Sequence, residues 1–305
     1  MRSKMYGNII KVIDFGRNIT YKKGDLPKHL LINENISYIE DNEEYHKLDI
    51  IYPNNKMEKY PFILNIHGGG FCMNSKNKIY RDYGVRLASN KYAVVNMNYR
   101  LANQAYFPAQ IEDVLSVITF IKMQANKYHL DINNMFVIGD SAGAYMAAMT
   151  ACITNDSKLK KYYNFDIDIK IQAIALNCGM YDFSTLLYSD ISFPLRKQML
   201  QVLFGKSKYE ELSIFQYTSV LKYINTKFPP AYIMDTEKKS FDKETIRLEK
   251  VLLDNKIEYK KRIFHKDEQL PHAFNIGNSY LQSMMVMEEI FDFFDNYIDI
   301  TKDSS

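Results

Sequence analysis

MFVIGDSAGAYMAAMTACI, residues 135–153, holds a strand, a tight turn and a helix in succession. Met135–Gly139 reads as a strand, and the apolar run Pro61–Ile66 as a strand buried on both faces. Residues 142–153 read as an apolar helix that begins directly after it. Between them lies Gly139-Asp140-Ser141-Ala142-Gly143, with a glycine on each side of a serine where the chain reverses. Working outward, further short runs read as strands: Pro61–Ile66, Tyr92–Met97, Ile171–Leu176, Ala231–Met234 and Glu258–Phe264. Helical spacing separates several of them, at 79–88, at 109–128 and in a terminal helix carrying Leu281, Met284, Met287, Phe291, Phe294 and Ile298 on one side. In 109–128, Ile111, Val114, Leu115, Ile118 and Ile121 fall three to four apart and form one apolar face. Ile36–Glu40 and His46–Tyr52 read as an antiparallel pair ahead of this series. Strands alternating with helices predict an α/β fold, with a mostly parallel central sheet flanked by helices.

Two stretches break the alternation. Residues 1–35 show no period, and 182–228 separate two strands by far more than a crossover needs. The core is therefore expected from 36–181 and 229–300. An insertion as long as 182–228 reads as a lid or cap.

Composition narrows the class further. The 305 residues are 47% hydrophobic and 25% charged, and the net charge is +3. Such a chain is globular, and the charge is too small to argue for a nucleic-acid partner. Cys72, Cys152 and Cys178 have no metal-ligand spacing and make neither a zinc site nor a disulfide framework. The N-terminus lacks a secretory apolar core, and no run is long enough to span a membrane. The expectation is a cytoplasmic protein without a membrane partner, with self-association into a homodimer left open.

The turn at 139–143 is the sequence form of a nucleophile elbow. Only small residues fit beside the serine, and the following helix directs its first N–H groups at developing negative charge. Ser141 is therefore the candidate nucleophile. His67-Gly68-Gly69-Gly70-Phe71 follows another strand, and consecutive glycines let bare main-chain N–H groups approach a ligand. With the Ala142 amide, such a loop would form an oxyanion hole. His67 reads as a residue that orients the loop. The chain order of α/β-hydrolases, serine then acid then histidine, would put the base after the last strand, which of the six histidines leaves His265 and His272. His272, in the loop Leu270-Pro271-His272-Ala273-Phe274, is the candidate, and His265 reads as a surface residue.

HGGGF, GDSAG, NYRLANQAYFPAQIEDV at 98–114 and PHAF at 271–274 together resemble the bacterial hormone-sensitive-lipase family of esterases. The resemblance covers about residues 45–298 and implies an α/β-hydrolase core. It also implies a cap built from the N-terminal segment plus the insertion. The implied activity is cofactor-free and metal-free hydrolysis of small-molecule carboxylic esters with short acyl chains. Ser141 would be the nucleophile, His272 the base, and Gly69, Gly70 and Ala142 the oxyanion amides. Amide or carbamate hydrolysis would need the same machinery.

One departure from the family bears on mechanism. Where the family usually reads E-x-D-P-L, this chain has Glu237-Lys238-Lys239-Ser240-Phe241. Lys239 occupies the place of the triad acid, and an ammonium cannot accept the imidazole N–H. Asp242 is the leading substitute, Glu237 and Asp235 are alternates, and a dyad is the remaining catalytic reading. An impaired protein that only binds a small ligand is the alternative to an enzyme.

Overall fold

The computed structural model describes residues 30–41, 43–188, 196–238 and 240–300. Residues 1–29 of the expected N-terminal cap segment, Asn42, residues 189–195 of the expected cap insertion, Lys239 and residues 301–305 lie outside the described residues.

Eight strands among the described residues form one sheet: β1 (Ile32–Ser37), β2 (Lys47–Ile51), β3 (Tyr60–Ile66), β4 (Ala93–Met97), β5 (Leu130–Asp140), β6 (Ile171–Asn177), β7 (Ala231–Thr236) and β8 (Tyr259–Phe264). Their order is β1-β2-β4-β3-β5-β6-β7-β8. β1 and β2 run antiparallel, β2 pairs antiparallel with β4, and every later pairing is parallel. The helices are α1 (Ile79–Leu87), α2 (Ala109–Gln124), α3 (Ala142–Asn155), α4 (Ser157–Tyr162), α5 (Phe183–Tyr188), α6 (Arg196–Phe204), α7 (Asp242–Asp254) and α8 (Leu281–Asp295).

The unbroken apolar strands have the predicted cause, since each of their faces meets a separate core. Phe62, Leu64, Ile66, Val137 and Ile174 pack on one side with residues of α2, α3 and α7. Ile63, Val94, Phe136, Ile138 and Ala175 pack on the other with residues of α1 and α8. At the edge, β8 exposes Lys260 and Lys261, charges that discourage further strand addition.

The N-terminal boundary needs correction. Residues 32–35, assigned from sequence to the cap segment, are sheet: Ile32 pairs with Ile51 and Asn33 with Ile50. The register then shifts before Ile36, and Asn35 sits at φ 56°. This bulge breaks the two-residue alternation by which a strand is read from sequence. Among the described residues, the insertion between β6 and β7 contains α5, α6 and three short 3₁₀ turns. It is fastened to the core by Tyr145, whose hydroxyl donates to Thr218 O (3.0 Å), and by Phe107, whose N–H donates to Leu203 O (3.0 Å).

Candidate active site

The candidate residues gather at the C-terminal edge of the parallel strands. Ser141 joins β5 to α3 with φ 53° and ψ −117°, a conformation costly for a residue with a side chain. The glycines beside it are required by space. A Cβ on Gly139 would lie 2.4 Å from Gly143 C, and one on Gly143 would lie 2.0 Å from Ile66 O. Phe71 (φ 61°), Cys178 (φ 50°) and Ala273 (φ 54°) are also left-handed. Backbone strain at a residue such as Ser141 is characteristic of functional sites.

The glycine loop is tied directly to the elbow. Asp140, buried beside Ser141, accepts the Gly68 N–H (2.9 Å) and the Tyr80 hydroxyl (3.0 Å). Gly68 has no room for a side chain, because its Cβ would fall 2.3 Å from Asp140 Oδ2. His67 Nδ1 lies 2.8 Å from Gly68 O, and its ring stacks on Tyr99 with centroids 4.1 Å apart. Gly69 (φ 121°) and Gly70 (φ 59°) then turn the chain. Among the described residues, no protein acceptor takes the amide N–H of Gly69, Gly70 or Ala142. Gly69 and Gly70 lie on the loop that Asp140 ties to the elbow, and Ala142 directly follows Ser141. Asp140 and Tyr80 were not singled out from sequence. The polar residue inside the elbow was visible, but its partner, a tyrosine sixty positions earlier, was not.

A series of hydrogen bonds leads from Ser141 to the loop that carries His272. Ser141 N–H donates to Asn177 O (2.8 Å) at the end of β6, and the next residue, Cys178, donates its N–H to Met234 O (2.7 Å). Cys178 Sγ accepts the N–H of Ala273 (3.4 Å), the neighbour of His272. The His272 ring stands edge-on to buried Phe241, with centroids 5.3 Å apart. His265 is elsewhere: it is exposed and lies 3.4 Å from Glu237 Oε1.

The carboxylate on the path from His272 is not the one favoured by sequence. Asp242 opens α7, half-buried, and the path does not pass through it. Glu237 faces the surface and accepts the Lys266 N–H (3.1 Å). His272 Nδ1 instead lies 2.7 Å from Ser240 Oγ, which donates to Asp235 Oδ1 at 2.5 Å. Asp235 also accepts the Thr236 N–H (2.8 Å) and the Thr245 hydroxyl (2.8 Å). Sequence spacing could not separate these carboxylates, because the turn after β7 decides which one points inward.

Burial pushes the Asp235 carboxyl from 3.8 up to about 7, and Asp242 adds to the rise, while Ser240, Thr236 and Thr245 oppose it. A raised pKa means that the folded state holds a proton which the unfolded chain has released. Stability from this group is full below about pH 4 and is lost as pH rises to about 7. The loss amounts to roughly 4 kcal/mol at most. Urea unfolding from pH 5 to 8 should therefore show a smaller fall in stability with pH for Asp235→Asn than for the wild type. Parallel slopes would exclude the effect.

The parallel sheet, the strained serine turn and the glycine loop together make up an α/β-hydrolase fold. The BD-FAE family profile matches residues 48–244, and the chain belongs to that family. It is 25% identical over 179 residues to esterase LipQ of Mycobacterium tuberculosis, covering 58% of this chain and 42% of LipQ. It is 37% identical over 103 residues to human arylacetamide deacetylase-like 2, covering 32% of this chain and 26% of that one. The chain thus spans less than half the length of these curated relatives. The crystal structure of esterase B from Lactobacillus rhamnosis HN001 superposes with a TM-score of 0.85 at 22% identity, over 97% of this chain and 96% of that one. Among the described residues, no helix is long and apolar enough to cross a membrane.

Proposed function

We propose that this protein is a serine carboxylesterase that hydrolyses small esters with short acyl chains. The observation carrying this reading is the junction at Asp140, which locks a loop of unpaired main-chain donors onto a strained serine turn. Ser141 Oγ attacks the ester carbonyl while His272 Nε2 takes its proton. The carbonyl oxygen becomes an oxyanion held by the amides of Gly69, Gly70 and Ala142. His272 then gives its proton to the leaving alcohol. Water, activated by the same imidazole, releases the acid and restores Ser141. None of these steps calls on a cofactor or metal.

The names of the relatives, esterase LipQ and the probable carboxylic ester hydrolase LipM, support the reaction class. Residues 182–228 serve as a cap in this reading. Phe183 and Phe204 from the insertion pack with Phe71, Phe107 and Tyr145. Phe71 directly follows the oxyanion loop, and Tyr145 stands one helical turn beyond Ser141. We read these rings, carried by the helix after Ser141, the segment after the glycine loop and the insertion, as the wall that limits acyl length. The alternative of a ligand-binding protein without turnover drew on Lys239. A path from His272 to Asp235 that does not use that position favours turnover.

The test is a series of p-nitrophenyl esters together with a fluorophosphonate probe. We expect covalent labelling at Ser141, with the highest kcat/KM for acetate to butyrate and a fall for octanoate. No labelling and background turnover would exclude the enzyme. Undiminished turnover of octanoate would remove only the short-chain preference.

A further inference from the structure

We propose that Ser240 is a positioning residue, linking His272 to the buried Asp235 carboxylate through a hydrogen-bond chain that must run in one direction for catalysis. The inference rests on the proposed roles of Ser141 and His272 and concerns how the base is oriented.

The direction follows from counting protons. A serine hydroxyl has one proton to donate. Ser240 gives it to Asp235 Oδ1, so the contact with His272 Nδ1 requires the ring to donate its Nδ1–H to Ser240 Oγ. That tautomer leaves Nε2 as the acceptor needed to deprotonate Ser141. Asp235 is held as an acceptor on every side, by Ser240 and the Thr236 N–H at Oδ1 and by the Thr245 hydroxyl at Oδ2. Both ends of the relay are fixed, since Ser240 and Asp235 are buried and Phe241 braces the imidazole. When Ser141 loses its proton, the imidazolium keeps its Nδ1–H on Ser240, and Ser240 keeps its proton on Asp235. No proton crosses the relay, and the carboxylate acts through one intervening dipole.

The hydroxyl also makes the chain reversible, unlike a directly bonded carboxylate. If Asp235 is protonated on Oδ1, it donates to Ser240, and Ser240 donates to Nδ1. The ring then carries its proton on Nε2 and cannot act as a base. Among the described residues, the charged and titratable groups around Asp235 include Asp242 at the start of α7, Cys178 and Tyr181 beyond β6, and His272 itself. The raised carboxyl pKa places this reversal near neutral pH. The loss of activity on acidification should thus follow the protonation of Asp235.

A double-mutant cycle tests the relay, with kcat measured from pH 5 to 9 on p-nitrophenyl acetate and thermal unfolding as the check on folding. Ser240→Ala is expected to lower kcat about 10²-fold with little change in KM. Adding Asp235→Asn to Ser240→Ala should then cost less than about threefold, because the carboxylate is already disconnected. The combination of Ser240→Asp with Asp235→Asn places a carboxylate directly on Nδ1. It should recover at least wild-type kcat and move the acid limb downward. Independent, multiplicative losses in the cycle would overturn the relay, as would wild-type kcat and an unchanged profile in Ser240→Ala. If Ser240→Ala fails to fold, the Ser240→Asp, Asp235→Asn protein decides alone: recovery supports the relay, and a loss of kcat in folded protein overturns it. Fluorophosphonate labelling of the wild type separates the two levels. Labelled Ser141 with a failed cycle removes the relay only, whereas an unlabelled wild type removes the reading of the site.

Discussion

Replacing Ser141 with alanine is expected to lower kcat by about 10⁴- to 10⁶-fold and to abolish fluorophosphonate labelling, with thermal stability unchanged or slightly raised. The size of the loss reflects the removal of the covalent route. Residual turnover would come from oxyanion binding and substrate orientation, because the amides of Gly69, Gly70 and Ala142 stay where they are. Stability should not fall. The serine backbone sits at φ 53° and ψ −117° under constraint from its neighbours, and the substitution removes only a hydroxyl from a largely buried side chain. A fluorophosphonate mass shift retained in Ser141→Ala, or a loss of activity under tenfold, would place the nucleophile elsewhere.

Gly143→Ala is the second large effect, and it should affect fold and activity together. The added Cβ would lie 2.0 Å from Ile66 O and 2.9 Å from His67 O. Both atoms belong to backbone at the end of β3, so no side chain can rotate away. Either α3 moves off the sheet or the end of β3 shifts, and the second motion carries the glycine loop with it. Overpacking of this kind costs on the order of 3 kcal/mol, and displacing reacting groups by about an ångström costs about 10²-fold in rate. Thermal unfolding and p-nitrophenyl acetate turnover would both report it. Wild-type values in either measurement would mean that the close approach of α3 to β3 is not required.

The two predictions differ in what sequence alone could support. Ser141 as a candidate nucleophile follows from GDSAG between an apolar strand and an apolar helix. The need for glycine at 143 is also local, but the atom that enforces it, Ile66 O, belongs to a strand more than seventy residues earlier. Similarly, HGGGF announces a loop of bare amides, but its attachment to the elbow through Asp140 and Tyr80 depends on sheet order. The bulge at Asn35 hid four residues of β1, because one extra residue erases the alternation that marks a strand.

Sequence by itself determined the layered α/β architecture, the serine turn, the glycine loop and His272 as the candidate base. Each is written in short-range periodicity or in residue types that a tight turn demands, and local patterning survives without coordinates. Only the tertiary structure placed Ser240 between His272 and one particular carboxylate, Asp235. Asp235, Glu237 and Asp242 stand within eight residues of chain, and spacing makes them nearly equivalent. What separates them is direction: β7 ends with Asp235 inside the core, Glu237 turned to the Lys266 amide, and Asp242 starting α7. Ser240, placed between, reaches both the imidazole and the buried carboxylate because the turn folds back over the end of the sheet. That turn's path is set by packing against the histidine loop, a contact between segments about thirty residues apart that no local pattern encodes.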